Sequence, residues 1–304
     1  MSTYDDRRLG SVETAGPDHV EDALSTAYAM HRSRSALLSI PERIAILERT
    51  ASLMKERSGD LALLAASEGG KPLTDSIVEV TRAVDGVHLC IESLRGQPGK
   101  VIALGTTPAT VGRIAHTRKE PIGVVVAVSA FNHPLNLIVH QVGPAVAAGC
   151  PVIVKPAGDT PLSCLQFVAM LREAGLPDAW CQVVVADDLE TAEKLVVDRR
   201  VGFFSFIGSA RVGWMLRSKL APGVRCALEH GGVAPAILSP DCDQHLALQS
   251  ILKGASITRV RCVFPCNACS HHELSLRNLQ QASPPPPANY GSATRRMHRQ
   301  KWDR

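Results

Sequence analysis

Residues 120–160 read EPIGVVVAVSAFNHPLNLIVHQVGPAVAAGCPVIVKPAGDT, in which apolar runs alternate with polar segments. Its first apolar run, 124–128, stops at the polar segment 129–133, which is typical of a buried strand that ends in a loop. A second apolar run, 152–154, ends at Lys155. Between the two runs, apolar residues recur three or four positions apart, at Leu135, Val139, Val142 and Val146. The order strand, helix, strand predicts one parallel βαβ unit.

The rest of the chain extends this pattern in both directions. Helical repeats are predicted between residues 18 and 87, and a change to a period of two predicts a hairpin around the turn at 105–108. After residue 160, strands and helices alternate as far as a strand at 225–228. We therefore predict an α/β fold with a largely parallel, doubly wound sheet, preceded by N-terminal helices and a β-hairpin and followed by an irregular C-terminal tail.

Two polar residues stand where predicted strands end. Asn132 lies in the loop after the first strand of the unit, and Lys155 directly ends the second. In open parallel sheets, ligands bind at the carboxyl ends of the strands. Asn132 and Lys155 are therefore the first candidates for a functional site, although a turn asparagine and a solvated lysine are the simpler interpretations.

Composition narrows the class of protein. The chain has 304 residues, 45% hydrophobic and 20% charged, with a net charge of only +4, so we expect a globular protein without a nucleic-acid partner. The sequence shows no signal peptide and no apolar run of about 18 residues, so no membrane partner is expected. Nine cysteines without a regular framework favour reduced thiols and a cytoplasmic location.

Four motifs, taken in order, resemble the aldehyde dehydrogenase superfamily. They are FNHP at 131–134, VIVKPA at 152–157, FIGS at 206–209 followed by Gly213, and LEHGG at 228–232. Any one of them would be a weak signal, but four at plausible spacing make a specific match over roughly residues 9–253. The resemblance implies an oxidoreductase that oxidises an aldehyde to a carboxylic acid with NAD(P)+ through a cysteine thiohemiacetal.

The resemblance also implies roles for two residues in the reaction. The family's asparagine that matches Asn132 donates its amide N–H to the aldehyde oxygen, and such a donor contributes about 2.7–4 kcal/mol in comparable oxyanion sites. The family's glutamate that matches Glu229 activates water for thioester hydrolysis as a general base. Most members have leucine where this chain has His230. The alternative interpretation is that Glu229 is an exposed glutamate at a strand end with no role in the reaction.

Cofactor contacts are implied at the ends of neighbouring strands. The family uses the position of Lys155 to bind the adenosine ribose, and the helix start at Gly208-Ser209 suits a pyrophosphate, because free N–H groups there attract anions. Many members have a ribose-binding glutamate where this chain has Gly158, which leaves NAD and NADP both open. No metal ligand is implied, and the implied cofactor-binding residues are Ser129, Asn132, Lys155, Ala157, Gly208, Ser209 and Gly213.

The nucleophile that the family requires is out of place. A cysteine in a Gly-Gln-x-Cys setting is expected about thirty residues after Glu229, where this chain has Cys262 within TRVRCVFP. Codons for residues 256–267 can be chosen so that a one-base offset reads Tyr-His-Ala-Gly-Gln-Val-Cys-Val-Ser-Val-Gln, the family's nucleophile segment. We therefore predict that the reading frame shifts near residues 253–256.

The predicted frameshift and the motifs divide the chain into three segments. Residues 1–118 are expected to hold the N-terminal helices and hairpin, 119–254 a dinucleotide-binding domain, and 255–304 a disordered, out-of-frame tail in place of the catalytic-cysteine domain. The tail has zinc-ligand residue types but no second ligand pair at normal spacing, so no metal site is expected there. These residues are Cys266, Cys269, His271 and His272.

Three functional hypotheses remain open from the sequence. The first is an aldehyde dehydrogenase that is inactive in this truncated form, with NAD or NADP and a small-molecule aldehyde as its ligands. The second is a non-catalytic NAD(P)-binding remnant or regulatory subunit, and the third is a metal- or nucleic-acid-binding protein that acts through its tail. The resemblance implies a homo-oligomer for the intact family form.

Overall fold

The computed structural model of the chain describes residues 2, 5, 7–33, 37–96, 99–186, 188–232, 235–239, 241–256 and 267–269. The described chain divides into two compact units, one within residues 1–231 and one that begins at Gly232. Cys262, Cys266, His271 and His272 lie outside the described residues, as does most of the predicted tail.

Four helices open the larger unit, as the sequence predicts. They are α1 (Pro17–Arg32), α2 (Ile40–Glu56), α3 (Ser58–Gly69) and α4 (Leu73–Gly96). A capping box starts α2, because the Ser39 hydroxyl and the Glu42 carboxylate each accept the other residue's backbone N–H. Gly70 ends α3 in the left-handed conformation, with a φ of 65°.

A small antiparallel sheet follows, which confirms the predicted hairpin in a shorter form. Its strands are β1 (Val101–Ile102) and β2 (Ala115–His116), with a 3₁₀ turn at Pro108–Thr110 between them. Val101 and Ile102 are both exposed.

The central sheet has five parallel strands in the order β5-β4-β3-β6-β7, which confirms the doubly wound topology. They are β3 (Val124–Val128), β4 (Val152–Lys155), β5 (Cys181–Val183), β6 (Val201–Gly208) and β7 (Arg225–His230). The crossover helices are α5 (Asn136–Ala148), α6 (Leu162–Glu173), α7 (Leu189–Val197) and α8 (Ala210–Ser218). The chain changes direction across the sheet between β3 and β6, where ligands of such folds bind.

Successive side chains of the central strands pack into two separate hydrophobic cores on opposite faces of the sheet. Val125 and Ala127 belong to one core together with residues of α2 to α6, whereas Val124 and Val126 belong to the other with residues of α1, α7 and β6. The N-terminal helices therefore form a layer of the same compact unit as the sheet.

In the described part of the chain, one face of the edge strand β7 is exposed. Arg225, Ala227 and Glu229 are exposed, whereas Cys226, Leu228 and His230 are partly buried. Because successive side chains of a strand point to opposite faces, the exposed set marks one uncovered face of β7 in the described chain.

The smaller unit contains β8 (Pro235–Ile237), α9 (Gln244–Ser256) and β9 (Asn267–Cys269). β8 and β9 pair in parallel. Within the predicted irregular tail, the structure describes residues 255–256 at the end of α9 and the three-residue strand β9. A strand this short needs only paired main-chain N–H and C=O groups, so it forms without a strand pattern in the side chains. No described helix is both long enough and apolar enough to cross a membrane.

Candidate cofactor and active site

The carboxyl ends of four adjacent strands bring the predicted site residues to one edge of the sheet. Lys155 ends β4, Ser129 and Asn132 follow β3, Gly208 ends β6, and Glu229 lies near the end of β7. These strands are neighbours in this order. With a strand spacing of about 4.8 Å, Lys155 and Glu229 lie toward opposite ends of an edge about 14 Å wide.

Two buried polar groups at the centre of this edge are unsatisfied. Ser129 and Asn132 are 6% and 5% exposed. The Ser129 hydroxyl oxygen and the Asn132 side-chain carbonyl oxygen have no hydrogen-bond partner among the described residues. Because buried polar groups are nearly always paired, these two atoms are suited to a polar ligand at the carboxyl edge.

Gln141 of α5 holds two strands of the same edge together. Its Nε2 donates hydrogen bonds of 3.1 Å to the carbonyl oxygens of Val128 and Ser205 and to the Ser205 hydroxyl. These bonds join the carboxyl ends of β3 and β6 where the chain direction across the sheet reverses. Sequence reasoning missed Gln141, although a polar residue within an apolar helical repeat was the available signal.

Lys155 is partly buried, and its Nζ donates to the carbonyl oxygen of Pro156 at 3.2 Å. Burial lowers the pKa of Lys155, because desolvation disfavours the ammonium form. Ala157 continues the loop, and at Gly158 an added Cβ would meet no atom within 4 Å. The position at which the family carries its ribose-binding glutamate is therefore open in this chain.

The predicted phosphate-binding turn lies between β6 and α8. The Ser209 hydroxyl accepts a hydrogen bond from the backbone N–H of Val212 at 3.4 Å and so caps α8. An added Cβ at Gly208 would lie 2.7 Å from the Phe206 ring, and one at Gly213 would lie 2.3 Å from Cε1 of His230. Both glycines thus allow close packing inside the protein, whatever ligand binds at this turn.

Two buried glutamates from the N-terminal helices fill other helix starts beside the edge. Glu79 accepts two backbone N–H groups at the start of α5, and Glu68 accepts two at the start of α6. Each carboxylate occupies a position that an anion would otherwise favour. Among the described residues, α8 is capped by its own Ser209 hydroxyl and by no carboxylate, so α8 offers the best helix N-terminus for a phosphate.

Replacing Glu68 with glutamine is expected to change how stability depends on pH. Burial raises the pKa of Glu68 above its ordinary value of 4.5 despite its hydrogen bonds to Ser163 and Leu162. Between the unfolded and the raised folded pKa, the folded chain binds a proton that the unfolded chain releases. The contribution of Glu68 to the free energy of unfolding therefore falls as pH rises through that window.

Urea denaturation of the wild type and Glu68→Gln at several values between about pH 4 and pH 7 measures this effect. The stability of the wild type relative to the variant should decrease as pH rises. A relative stability that increases with pH would contradict the raised pKa.

Glu229 is exposed and borders a groove of about 1300 Å³ that also runs past Leu89, Cys90 and His140. Cys90 is not an activated thiol, because burial raises its pKa to about 11 and leaves a thiolate fraction of only about 10⁻⁴ at neutral pH. Among the described cysteines of the larger unit, none follows the carboxyl end of a strand. The described ranges also contain no cluster of three or more His, Cys, Asp or Glu side chains able to hold a metal.

Comparison with known proteins agrees with the motifs. The sequence profile of the Aldehyde dehydrogenase family matches residues 1–263, a longer range than the motifs alone cover. The 3-sulfolactaldehyde dehydrogenase of Priestia aryabhattai is 34% identical over 252 residues, which are 83% of this chain and 52% of that protein. The mitochondrial succinate-semialdehyde dehydrogenase of Oryza sativa subsp. japonica is 34% identical over 80% of this chain and 46% of its own length.

A solved structure shows the same fold. The glyceraldehyde-3-phosphate dehydrogenase of Methanocaldococcus jannaschii complexed with NADP superposes with a TM-score of 0.81 at 27% identity. The match covers 92% of this chain and 61% of that one. The chain spans about half the length of the curated relatives it matches.

Proposed function

Because the chain belongs to the aldehyde dehydrogenase family, we propose that it binds NADP+ or NAD+ along the carboxyl edge of its sheet. The observation that carries this proposal is the alignment of Lys155, Asn132, Gly208 and Glu229 on four adjacent strand ends. As an aldehyde dehydrogenase by descent, the chain has a small-molecule aldehyde as its second ligand.

The residues at the edge fit a dinucleotide. Lys155 would hold the adenosine ribose, and the start of α8 at Gly208-Ser209 would hold the pyrophosphate. The unsatisfied oxygens of Ser129 and Asn132 would then face the nicotinamide half. When bound, the nicotinamide supplies a hydride acceptor for oxidation of the aldehyde.

Two side chains would serve the aldehyde carbonyl. The Asn132 amide would donate to its oxygen and stabilise negative charge that develops there. Glu229, whose side chain is exposed near the end of β7, would accept a proton from water as a general base. Cys262 lies within TRVRCVFP and not in the family's Gly-Gln-x-Cys setting, so the 304-residue chain is expected to bind its cofactor without oxidising aldehydes. Aldehyde-dependent formation of NAD(P)H by the purified chain would refute the proposal that this chain is inactive.

Gly158 favours NADP+ over NAD+ within this proposal. Its position is open, and Gly158 itself brings no carboxylate to repel a 2′-phosphate; the neighbouring carboxylates of that pocket are Asp159 and Glu68. Replacing Gly158 with glutamate is expected to weaken NADP+ binding about tenfold while sparing NAD+, because the new carboxylate would face the phosphate. Dissociation constants of both cofactors measured for the wild type and Gly158→Glu test this. Gly158→Gln is the matched control, and an equal loss in both variants would point to steric hindrance instead.

A shift of the reading frame near residues 253–256 remains part of the proposal. It is supported by the overlap between codons for residues 256–267 and the family's nucleophile segment. Sequencing the source DNA across codons 245–275 tests it. A gained or lost base there would mean that the intact gene encodes a nucleophilic cysteine in its proper setting. An unaltered frame would leave a non-catalytic cofactor-binding remnant or regulatory subunit, which is the alternative function.

We propose a cytoplasmic location, supported by the free thiols of Cys90, Cys150, Cys164, Cys181, Cys226 and Cys242. A homo-oligomer is proposed for the intact family form only. Size-exclusion chromatography with light scattering would show whether this chain assembles as well.

A further inference from the structure

A buried ion pair next to the candidate site has no part in the proposed chemistry. It joins Lys71, just before α4, to Glu79 within α4, and the two side chains are 1% and 0% exposed. Removing two charges from water costs several kcal/mol each, so a pair of this kind is weak evidence for stability on its own. What the two side chains contact beyond each other therefore decides their role.

Glu79 binds the start of α5 with the carboxylate oxygen that does not face Lys71. Oε1 accepts the backbone N–H of Leu135 at 2.9 Å and that of Asn136 at 3.0 Å, while Oε2 faces Lys71. The first N–H groups of a helix have no partner within the helix, and a carboxylate there also interacts favourably with the helix dipole. One side chain thus fixes both the position and the direction of the α5 start.

Lys71 reaches the preceding part of the same loop. Its Nζ lies 3.5 Å from the carbonyl oxygen of Asn132 and 3.3 Å from Nδ1 of His133. The segment 132–136 is therefore contacted at four residues by one buried pair. Asn132 is the first residue of that segment, and its main chain is held directly.

We propose that Lys71 and Glu79 are positioning residues that set the orientation of the Asn132 side chain toward the nicotinamide and the aldehyde carbonyl. This inference rests on the proposed function, because that function gives Asn132 its role. Gln141 fixes the ends of β3 and β6, and the ion pair fixes the loop that leaves β3. Together they hold the main chain at Val128 and at Asn132, the two ends of the loop that carries the Asn132 amide.

Glu68 provides a matched control within the same chain. It is also a buried glutamate from the N-terminal helices, 1% exposed, and it accepts two backbone N–H groups at the start of α6. It contacts the segment after β4 and not the Asn132 loop. Glu68→Gln therefore imposes a similar chemical change on a different helix start.

The test uses the full 304-residue chain as wild type, Lys71→Met, Glu79→Gln and Glu68→Gln. Hydrogen exchange of the unliganded proteins, followed by mass spectrometry, reports on peptides across 129–137 and 160–166. Affinities for NADP+ and for 2′-phospho-ADP-ribose, which lacks only the nicotinamide, report on the nicotinamide half of the site. Melting temperatures measure the general loss of stability in each variant.

We expect Lys71→Met and Glu79→Gln to speed exchange in 129–137 about tenfold and to lower the preference for NADP+ over its fragment about threefold. Glu68→Gln should affect 160–166 only and leave that preference unchanged. Unchanged exchange in 129–137, or an equal shift of preference in Glu68→Gln, would overturn the inference. If the wild type binds neither nucleotide, the proposed function fails, and the exchange measurement alone decides the positioning inference.

Discussion

Replacing Glu79 with leucine alone is expected to lower the free energy of unfolding by about 3–5 kcal/mol. The substitution leaves the Lys71 ammonium buried without its carboxylate, and it removes the acceptor for two N–H groups at the start of α5. Urea denaturation of the wild type and Glu79→Leu measures the loss.

The double variant Lys71→Met/Glu79→Leu separates the two contributions. It removes both charges, so most of the penalty for an unpaired buried ammonium should disappear. The two unsatisfied N–H groups remain and cost about 1–3 kcal/mol. The double variant should therefore be more stable than Glu79→Leu and less stable than the wild type. A double variant that is less stable than Glu79→Leu would contradict this description of the ion pair.

Replacing Gly213 with alanine is expected to destabilise the chain by about 1–3 kcal/mol, because the methyl group has no room. It would lie 2.3 Å from Cε1 of His230 and 2.9 Å from the Phe206 ring. The ring of His230 is itself packed between Phe206 and Trp214, with centroid distances of 6.1 and 5.9 Å. Thermal and urea unfolding measure the effect.

Gly59→Ala is the matched control for this substitution. Gly59 lies in α3, where an added Cβ meets no atom within 4 Å. Since alanine is the better helix former, this variant should gain about 0.5–1 kcal/mol. Introducing Gly213→Ala into a His230→Ala background should cost less than it does in the wild type. A cost that does not depend on His230 would show that packing against this ring is not the reason for glycine at position 213.

Much of the fold follows from local patterns in the sequence. The runs at 124–128 and 152–154 predict buried strands, and their alternate residues do enter the two cores on either side of the sheet. The motif residues Asn132, Lys155 and Glu229 could be placed on strand ends because parallel strands put their carboxyl ends on one edge.

The residues that support the site could not be predicted in this way. Glu68, Glu79 and Lys71 are charged residues in or beside helices, and their local pattern does not distinguish them from solvated side chains. Glu79 and Glu68 bind backbone N–H groups 56 to 95 positions away along the chain. Lys71 pairs with Glu79 and contacts Asn132 and His133, 61 and 62 positions away. The packing at Gly208 and Gly213 depends on the rings of Phe206 and His230, so it is visible only in the folded chain.

Titration of the purified 304-residue chain with NADP+ by isothermal calorimetry tests whether the carboxyl edge of the sheet binds a dinucleotide. We predict saturable binding at a single site, and we expect Lys155→Met to weaken it. Binding should also raise the melting temperature, because an NADP+ concentration of 100 times the dissociation constant stabilises the folded chain by about 2.7 kcal/mol. The absence of saturable binding up to about 1 mM NADP+ or NAD+, a range that covers typical cofactor affinities, would contradict the claim that this sheet edge is a dinucleotide site.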